Sequence, residues 1–151
     1  MMNEKFDWGK LNHLQLGRYA EYFTKMEFTL LGFDVYEPEV DDKGIDFIIR
    51  KDENKFYEIQ VKSIFKGNYT FMSKDKFILR TNLYLVLVLF NEGKSPELYL
   101  IPSNAWLQKD ELLVNFDYIG KKSKPEWGIN LSRKNFPKLS KYKFDKVVKT
   151  L

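Results

Sequence analysis

Gly44-Ile45-Asp46-Phe47-Ile48-Ile49 is followed, after a polar turn, by Tyr57-Glu58-Ile59-Gln60-Val61-Lys62-Ser63. Ile45 to Arg50 reads as one strand, Asp52-Glu53-Asn54 as a turn, and Lys55 to Ser63 as the next strand. Residues two apart on a strand share a face. Glu58, Gln60 and Lys62 therefore line one face, while Ile59 and Val61 look the other way. Three adjacent polar side chains on an interior strand are costly to bury without partners, so they call for ions, solvent or one another. A hairpin turning near Asn54 pairs position 46 roughly with 62. A carboxylate, an amide oxygen and an ammonium then converge at one end of the hairpin.

Working outward, Leu16, Tyr19, Ala20, Phe23, Met26 and Leu30 recur at helical spacing and predict a helix from about Asn12 to Leu31. Gly32 stands where a left-handed C-terminal cap favours glycine. Phe33 and Val35 alternate with polar residues and predict a strand up to Pro38, and Asp41-Asp42-Lys43-Gly44 is a turn signal. A helix followed by an antiparallel meander results. Downstream, Ser73 to Thr81 is expected to be a short helix capped by Ser73. The continuous apolar run Leu83 to Phe90 is expected to be a strand covered on both faces. Glu97 to Ile101 predicts a further strand, Ser103 a cap for a short helix holding Trp106, residues 112–131 two short strands, and Ser140 to Leu151 a final helix. The implied fold class is α/β, a mixed central sheet flanked by helices. One domain is expected over residues 1–151, with a core over about 12–110.

The chemistry suited to such a constellation is phosphodiester hydrolysis. A hard cation polarises the phosphoryl oxygen and lowers the pKa of an attacking water. Magnesium takes oxygen ligands, commonly one or two carboxylates plus waters. A lysine beside it orients the water or stabilises developing charge.

Asp46, followed after eleven residues by Glu58-Ile59-Gln60-Val61-Lys62, resembles the signature of the PD-(D/E)XK nuclease superfamily. That group includes restriction endonucleases, Holliday-junction resolvases and small group I intron homing endonucleases. The Gln60-Val61-Lys62 run is similar to the QxK variant found among enzymes that restrict methylated DNA. Glu21, in Gly17-Arg18-Tyr19-Ala20-Glu21, matches the glutamate that the superfamily carries on its first helix. The resemblance spans about Leu16 to Phe90, half of the chain. It implies a restriction-endonuclease-like domain and a Mg²⁺-dependent DNA endonuclease, with Mn²⁺ as an alternative cation. It also implies Asp46, Gln60, Lys62, Glu21 and Glu58 as the catalytic set. Asp46, Gln60, the Val61 carbonyl and Glu21 are the implied metal ligands, and a homodimer or higher homo-oligomer the implied assembly. Two departures stand out. Ile45 replaces the proline before the aspartate, and Gln60 replaces a glutamate, which removes one formal negative charge that Glu58 could restore.

The composition narrows the alternatives. The 151 residues contain no cysteine, which excludes disulfides, a thiolate zinc site and a cysteine nucleophile. His13 is the only histidine and is expected to serve as a cap or surface residue. Met1 to Lys10 is mixed and polar, unlike a signal peptide. Leu83 to Phe90, the longest apolar run, is too short to span a bilayer, so no membrane partner is expected and the cytoplasm is the expected location. Residues 121–151 hold ten Lys/Arg against two acids, whereas residues 1–120 hold fifteen against nineteen. Lys121, Lys122, Lys124, Arg133, Lys134, Lys138 and Lys141 are therefore the expected phosphate contacts to DNA. The aromatic residues are expected to be mostly core, Trp106 and Trp127 included. Two other functions compete with the nuclease. One is a disabled nuclease fold that only binds nucleic acid, and the other an interaction or immunity protein docking a partner on its polar strand face.

Overall fold

The computed structural model describes residues 5–40, 43–108 and 110–151, so the Asp41-Asp42 part of the expected turn lies outside the described residues. Helix α1 (His13–Leu30) starts from a capping box in which Asn12 and Gln15 satisfy each other's backbone N–H groups. It ends as expected before Gly32, whose φ of 90° only glycine adopts without strain. The buried stripe is narrower than the sequence suggested. Leu16, Ala20, Thr24 and Phe28 face inward, while Met26 and Leu30 are exposed. Thr24 is tolerated there because its hydroxyl donates to the Ala20 carbonyl at 2.7 Å.

Three strands follow in an antiparallel meander: β1 (Asp34–Tyr36), β2 (Phe47–Asp52) and β3 (Lys55–Phe65). Beyond them come β4 (Tyr69–Ser73), β5 (Leu83–Phe90), β6 (Glu97–Pro102), β7 (Leu113–Phe116) and β8 (Glu126–Asn130). The main sheet has the order β1-β2-β3-β5-β6, with β3 and β5 its one parallel pair. As the unbroken apolar run required, β5 is covered on both faces. Val86, Val88 and Phe90 pack toward α1, and Leu85, Leu87 and Leu89 pack the other way. A second sheet of order β4-β8-β7 closes that other face with Met72, Leu113 and Ile129.

Several expectations need correction. Residues 73–81 form no helix. Ser73 ends β4, a single turn places Phe77 N on Ser73 O at 2.9 Å, and the chain then runs without regular structure into a turn at residues 81–82. The Arg80 backbone is committed elsewhere: its N–H donates to Ser103 Oγ at 2.9 Å and its carbonyl accepts from the same hydroxyl at 2.6 Å. Ser103 thus ties the segment before β5 to the 3-10 helix Ser103–Leu107 rather than capping that helix. The final helix is cut to α2 (Phe144–Val147), because Lys143 adopts an extended conformation and bridges Tyr99 on β6. Phe144, Val148 and Leu151 still reach the core as their spacing implied. The hairpin register is two residues tighter than expected. Phe47 pairs with Ile59, which sets Asp46 across from Gln60 and not Lys62. A two-residue connection, Glu53-Asn54, with an irregularity between Arg50 and Asp52 accounts for the shift.

Candidate active site

The geometry of the site follows from where β2 stops. The Tyr57, Ile59 and Val61 amides of β3 face β2, since the Glu58 amide on the alternate side bonds the carbonyl of Asn82, next to β5. Up to Ile59 these groups meet β2 backbone, and Asp46 N donates to Ile59 O at 2.9 Å. At Val61 the ladder has run out. Its N–H donates instead to Asp46 Oδ2 at 2.7 Å. A carboxylate thus stands in for a main-chain carbonyl where the two strands part, and a notch opens at their end.

Helix α1 lies beside that notch. Asp46 and Val61 line a cleft of about 480 Å³ with Asn12, His13, Gly17 and Glu21. Asp46 and Glu21 also border an adjoining hollow of about 300 Å³ that includes Arg18, Lys25 and Glu37. A Cβ on Gly17 would meet nothing within 4 Å, so the space beside it belongs to the cleft and not to packed backbone. The cations at the rim are engaged. Arg18 donates to the Tyr22 hydroxyl at 3.4 Å, which with a smaller contribution from the Glu21 charge holds its pKa above the ordinary value. Lys25 hydrogen-bonds Glu37 and holds that carboxyl below the usual range.

Continuing the β2–β3 register one step past Phe47–Ile59 sets Gln60 opposite Asp46. The Gln60 Oε1 atom is buried and has no hydrogen-bond partner. Lys62, two residues on, makes no ion pair or side-chain hydrogen bond among the described residues. Glu58 behaves differently. It forms an ion pair with Arg80 and accepts from Asn82 Nδ2 at 3.5 Å, so its carboxylate is taken up on the β5 side. Arg80 was not foreseen as a partner, because only the crossover into β5 brings it to β3. Among the described residues no group of three or more His, Asp or Glu side chains is placed to hold a metal. The clefts beside α1 bring Asp46, Glu21 and Val61 together, whereas Gln60 and Lys62 line neither of them, because they alternate along β3 with Ile59 and Val61, which pack on the α1 side.

The basic residues expected to contact DNA are split between the two ends of the second sheet. Lys121, Lys122 and Lys124 sit on the exposed β7–β8 loop. Lys134, Lys138 and Lys141 surround Asp110 and Glu111 before β7, at distances of 3.1 to 3.8 Å. Arg133 is exposed beside them. The β7–β8 loop is the end nearer the notch: Lys74 N donates to Pro125 O at 3.0 Å, and Lys76 packs against Gly44, two residues from Asp46. Trp106 and Trp127 are packing residues as expected, donating to the carbonyls of Gly128 and Phe77. Not all the aromatics are core, however. Tyr69, Phe71 and Phe116 are exposed on the second sheet.

No family model and no curated protein matches the chain. Among solved structures it is similar to a Holliday junction resolvase of the archaeal hyperthermophile Archaeoglobus fulgidus, with a TM-score of 0.51 and 16% identity over 76% of this chain and 84% of that one. At that identity the likeness establishes the fold, which is the restriction-endonuclease-like α/β arrangement that the sequence resemblance implied. No helix among the described residues is long and apolar enough to cross a membrane.

Proposed function

We propose that the chain is a divalent-metal-dependent DNA endonuclease whose centre is the notch between β2 and β3. The buried, unpartnered Gln60 Oε1 across from Asp46 carries the reading. Leaving a buried acceptor unsatisfied costs about 1–3 kcal/mol, and a hard cation at the notch would remove that penalty. Asp46, Gln60 Oε1 and the Val61 carbonyl would hold Mg²⁺ or Mn²⁺, with Glu21 binding directly or through water. When bound, the cation supplies Lewis acidity and a more acidic water. Asp46 also fixes the Val61 backbone, and so the carbonyl beside it, through its hydrogen bond. Lys62 is left to orient the attacking water and to face the negative charge that builds on the phosphoryl group. Two strands require two cuts, so the working assembly is a homodimer or larger homo-oligomer with two-fold symmetry.

A second reading rests on the same glutamine. Gln60 brings one charge fewer than an acid, and Glu58 is committed to Arg80. A chain of this fold that binds nucleic acid without cutting it would keep the basic loop and lose the cation.

Cleavage of duplex and branched DNA with Mg²⁺ or Mn²⁺ separates the two. The wild type should cut, and Asp46→Asn should lose cleavage while keeping near wild-type stability, because an amide oxygen still accepts from Val61 N–H. Asp46→Ala should lose both cleavage and about 1 kcal/mol of stability. A wild type that cuts neither substrate with either metal leaves the binding module in place of the enzyme.

A further inference from the structure

The outer face of the β4-β8-β7 sheet carries an aromatic surface that the notch does not use. Tyr69, Phe71 and Phe116 are 37%, 48% and 43% exposed. Their rings are contiguous. Tyr69 lies 6.2 Å from Phe71 and 6.4 Å from Phe116, and Phe116 stacks on Tyr118 at 5.7 Å. The arrangement is built rather than incidental. Tyr69 lies across Gly128 so closely that a Cβ there would come within 2.1 Å of its hydroxyl. That hydroxyl hydrogen-bonds the buried Glu126 carboxylate, which fixes the ring over the middle strand. Holding the sheet together does not require these rings, since Met72, Leu113 and Ile129 already anchor its inner face.

The rim of this surface is cationic. Residues 119–125 of the β7–β8 loop contain three lysines and no acid. Lys121 and Lys122 form no ion pair among the described residues, and Lys124 only a loose one, 3.7 Å from Asp75 with both side chains largely exposed. Flat aromatic rings beside unpaired cations, at the edge of an open sheet, match a strand whose bases are free to stack and whose phosphates need neutralising. Base stacking on aromatic side chains tolerates any sequence because every base has a π-face.

We propose that this face is a stacking platform for the unpaired bases of single-stranded nucleic acid, with Lys121, Lys122 and Lys124 holding its backbone. The inference rests on the nucleic-acid reading above and gives it a substrate feature: a single-stranded segment lying next to the position that is cut. The path on the protein is short, because the loop touches Lys74 and the adjoining turn packs on Gly44 beside Asp46.

The test is fluorescence anisotropy of the full chain with a labelled oligothymidylate and with a labelled duplex of equal length. It is run in EDTA so that cleavage plays no part. The wild type should bind the single strand more tightly than the duplex. Phe71→Ala and Phe116→Ala, both exposed and so expected to fold, should each weaken oligothymidylate binding roughly five- to a hundredfold and leave duplex binding unchanged. Lys121→Ala with Lys122→Ala should flatten its salt dependence. Wild-type affinity in both aromatic variants overturns the platform, as does a wild type that ignores oligothymidylate. If sedimentation shows that the same variants turn a dimer into a monomer without changing oligothymidylate affinity, the face is an interface between two copies of this chain. A wild type that binds oligothymidylate but never cuts DNA sinks the endonuclease and spares the platform. One that cuts duplex DNA but ignores oligothymidylate does the reverse.

Discussion

Gln60 is the residue from which the functional account can be probed without any catalytic assay. Its Oε1 is buried with no donor, an arrangement that folded proteins keep mainly where a ligand, ion or water completes it. Gln60→Met has a similar volume and no polar atom to desolvate. In EDTA it should therefore be more stable than wild type, by about 1 kcal/mol. Adding Mg²⁺ should then stabilise the wild type, by about 2.7 kcal/mol at a hundred times the dissociation constant, and leave Gln60→Met unmoved. Chemical denaturation with and without Mg²⁺ reads both. A methionine variant that is less stable than wild type in EDTA would mean that the amide oxygen already has its partner and awaits no cation. The pattern of polar residues at 58, 60 and 62 was legible in the sequence because strand alternation is strict. The different fates of the three were not. Glu58 meets Arg80 only after the crossover to β5, a contact that no local spacing encodes.

At the scale of elements, the meander and the central strand could be read directly. Long apolar runs and clean alternation leave few options, and α1 was marked at both ends by Asn12 and Gly32. The second sheet was harder. Tyr69 to Ser73 is a five-residue strand whose exposed side is aromatic, so hydrophobicity alone does not reveal which face is inside. Ser73 resembled a helix cap but closes a strand: a single turn forms after it, from Phe77 N to Ser73 O, and Arg80 is then held by Ser103. At the far end of that sheet, Glu111 is held below the usual carboxylate range, first by its hydrogen bond to Lys134 and then by the charges of Lys134 and Lys138. A depressed carboxyl contributes stability that is present above its unfolded pKa of about 4.3 and lost as the pH falls through its folded value. Glu111→Gln should therefore have a lower denaturation midpoint than wild type at pH 7, and the gap should narrow as the pH is lowered through the carboxylate range. A gap that stays the same size throughout that titration would mean that the difference comes from packing and not from charge.

For the whole molecule, the question is which basic surface meets DNA. The net positive charge of residues 121–151 suggested one continuous contact, but the fold divides it. Lys134, Lys138 and Lys141 gather around Asp110 and Glu111, whereas Lys121 and Lys122 form no ion pair among the described residues and Lys124 pairs only with the exposed Asp75. Replacing Lys121, Lys122 and Lys124 with alanine should lower the slope of log affinity against log salt by up to about 0.9 per contact on duplex DNA. The same change at Lys134, Lys138 and Lys141 should move it less. Equal losses in a salt titration of the two triple variants would restore the single basic surface.

A crystal soaked in Mn²⁺ shows whether Asp46, Gln60, Val61 and Glu21 hold a cation. An anomalous peak is expected at the notch, bonded to Asp46 and the Gln60 side-chain oxygen at about 2.0–2.3 Å, with waters completing the shell. No peak there at saturating Mn²⁺, with Gln60 Oε1 instead bonded to protein or to water alone, rules the cation site out.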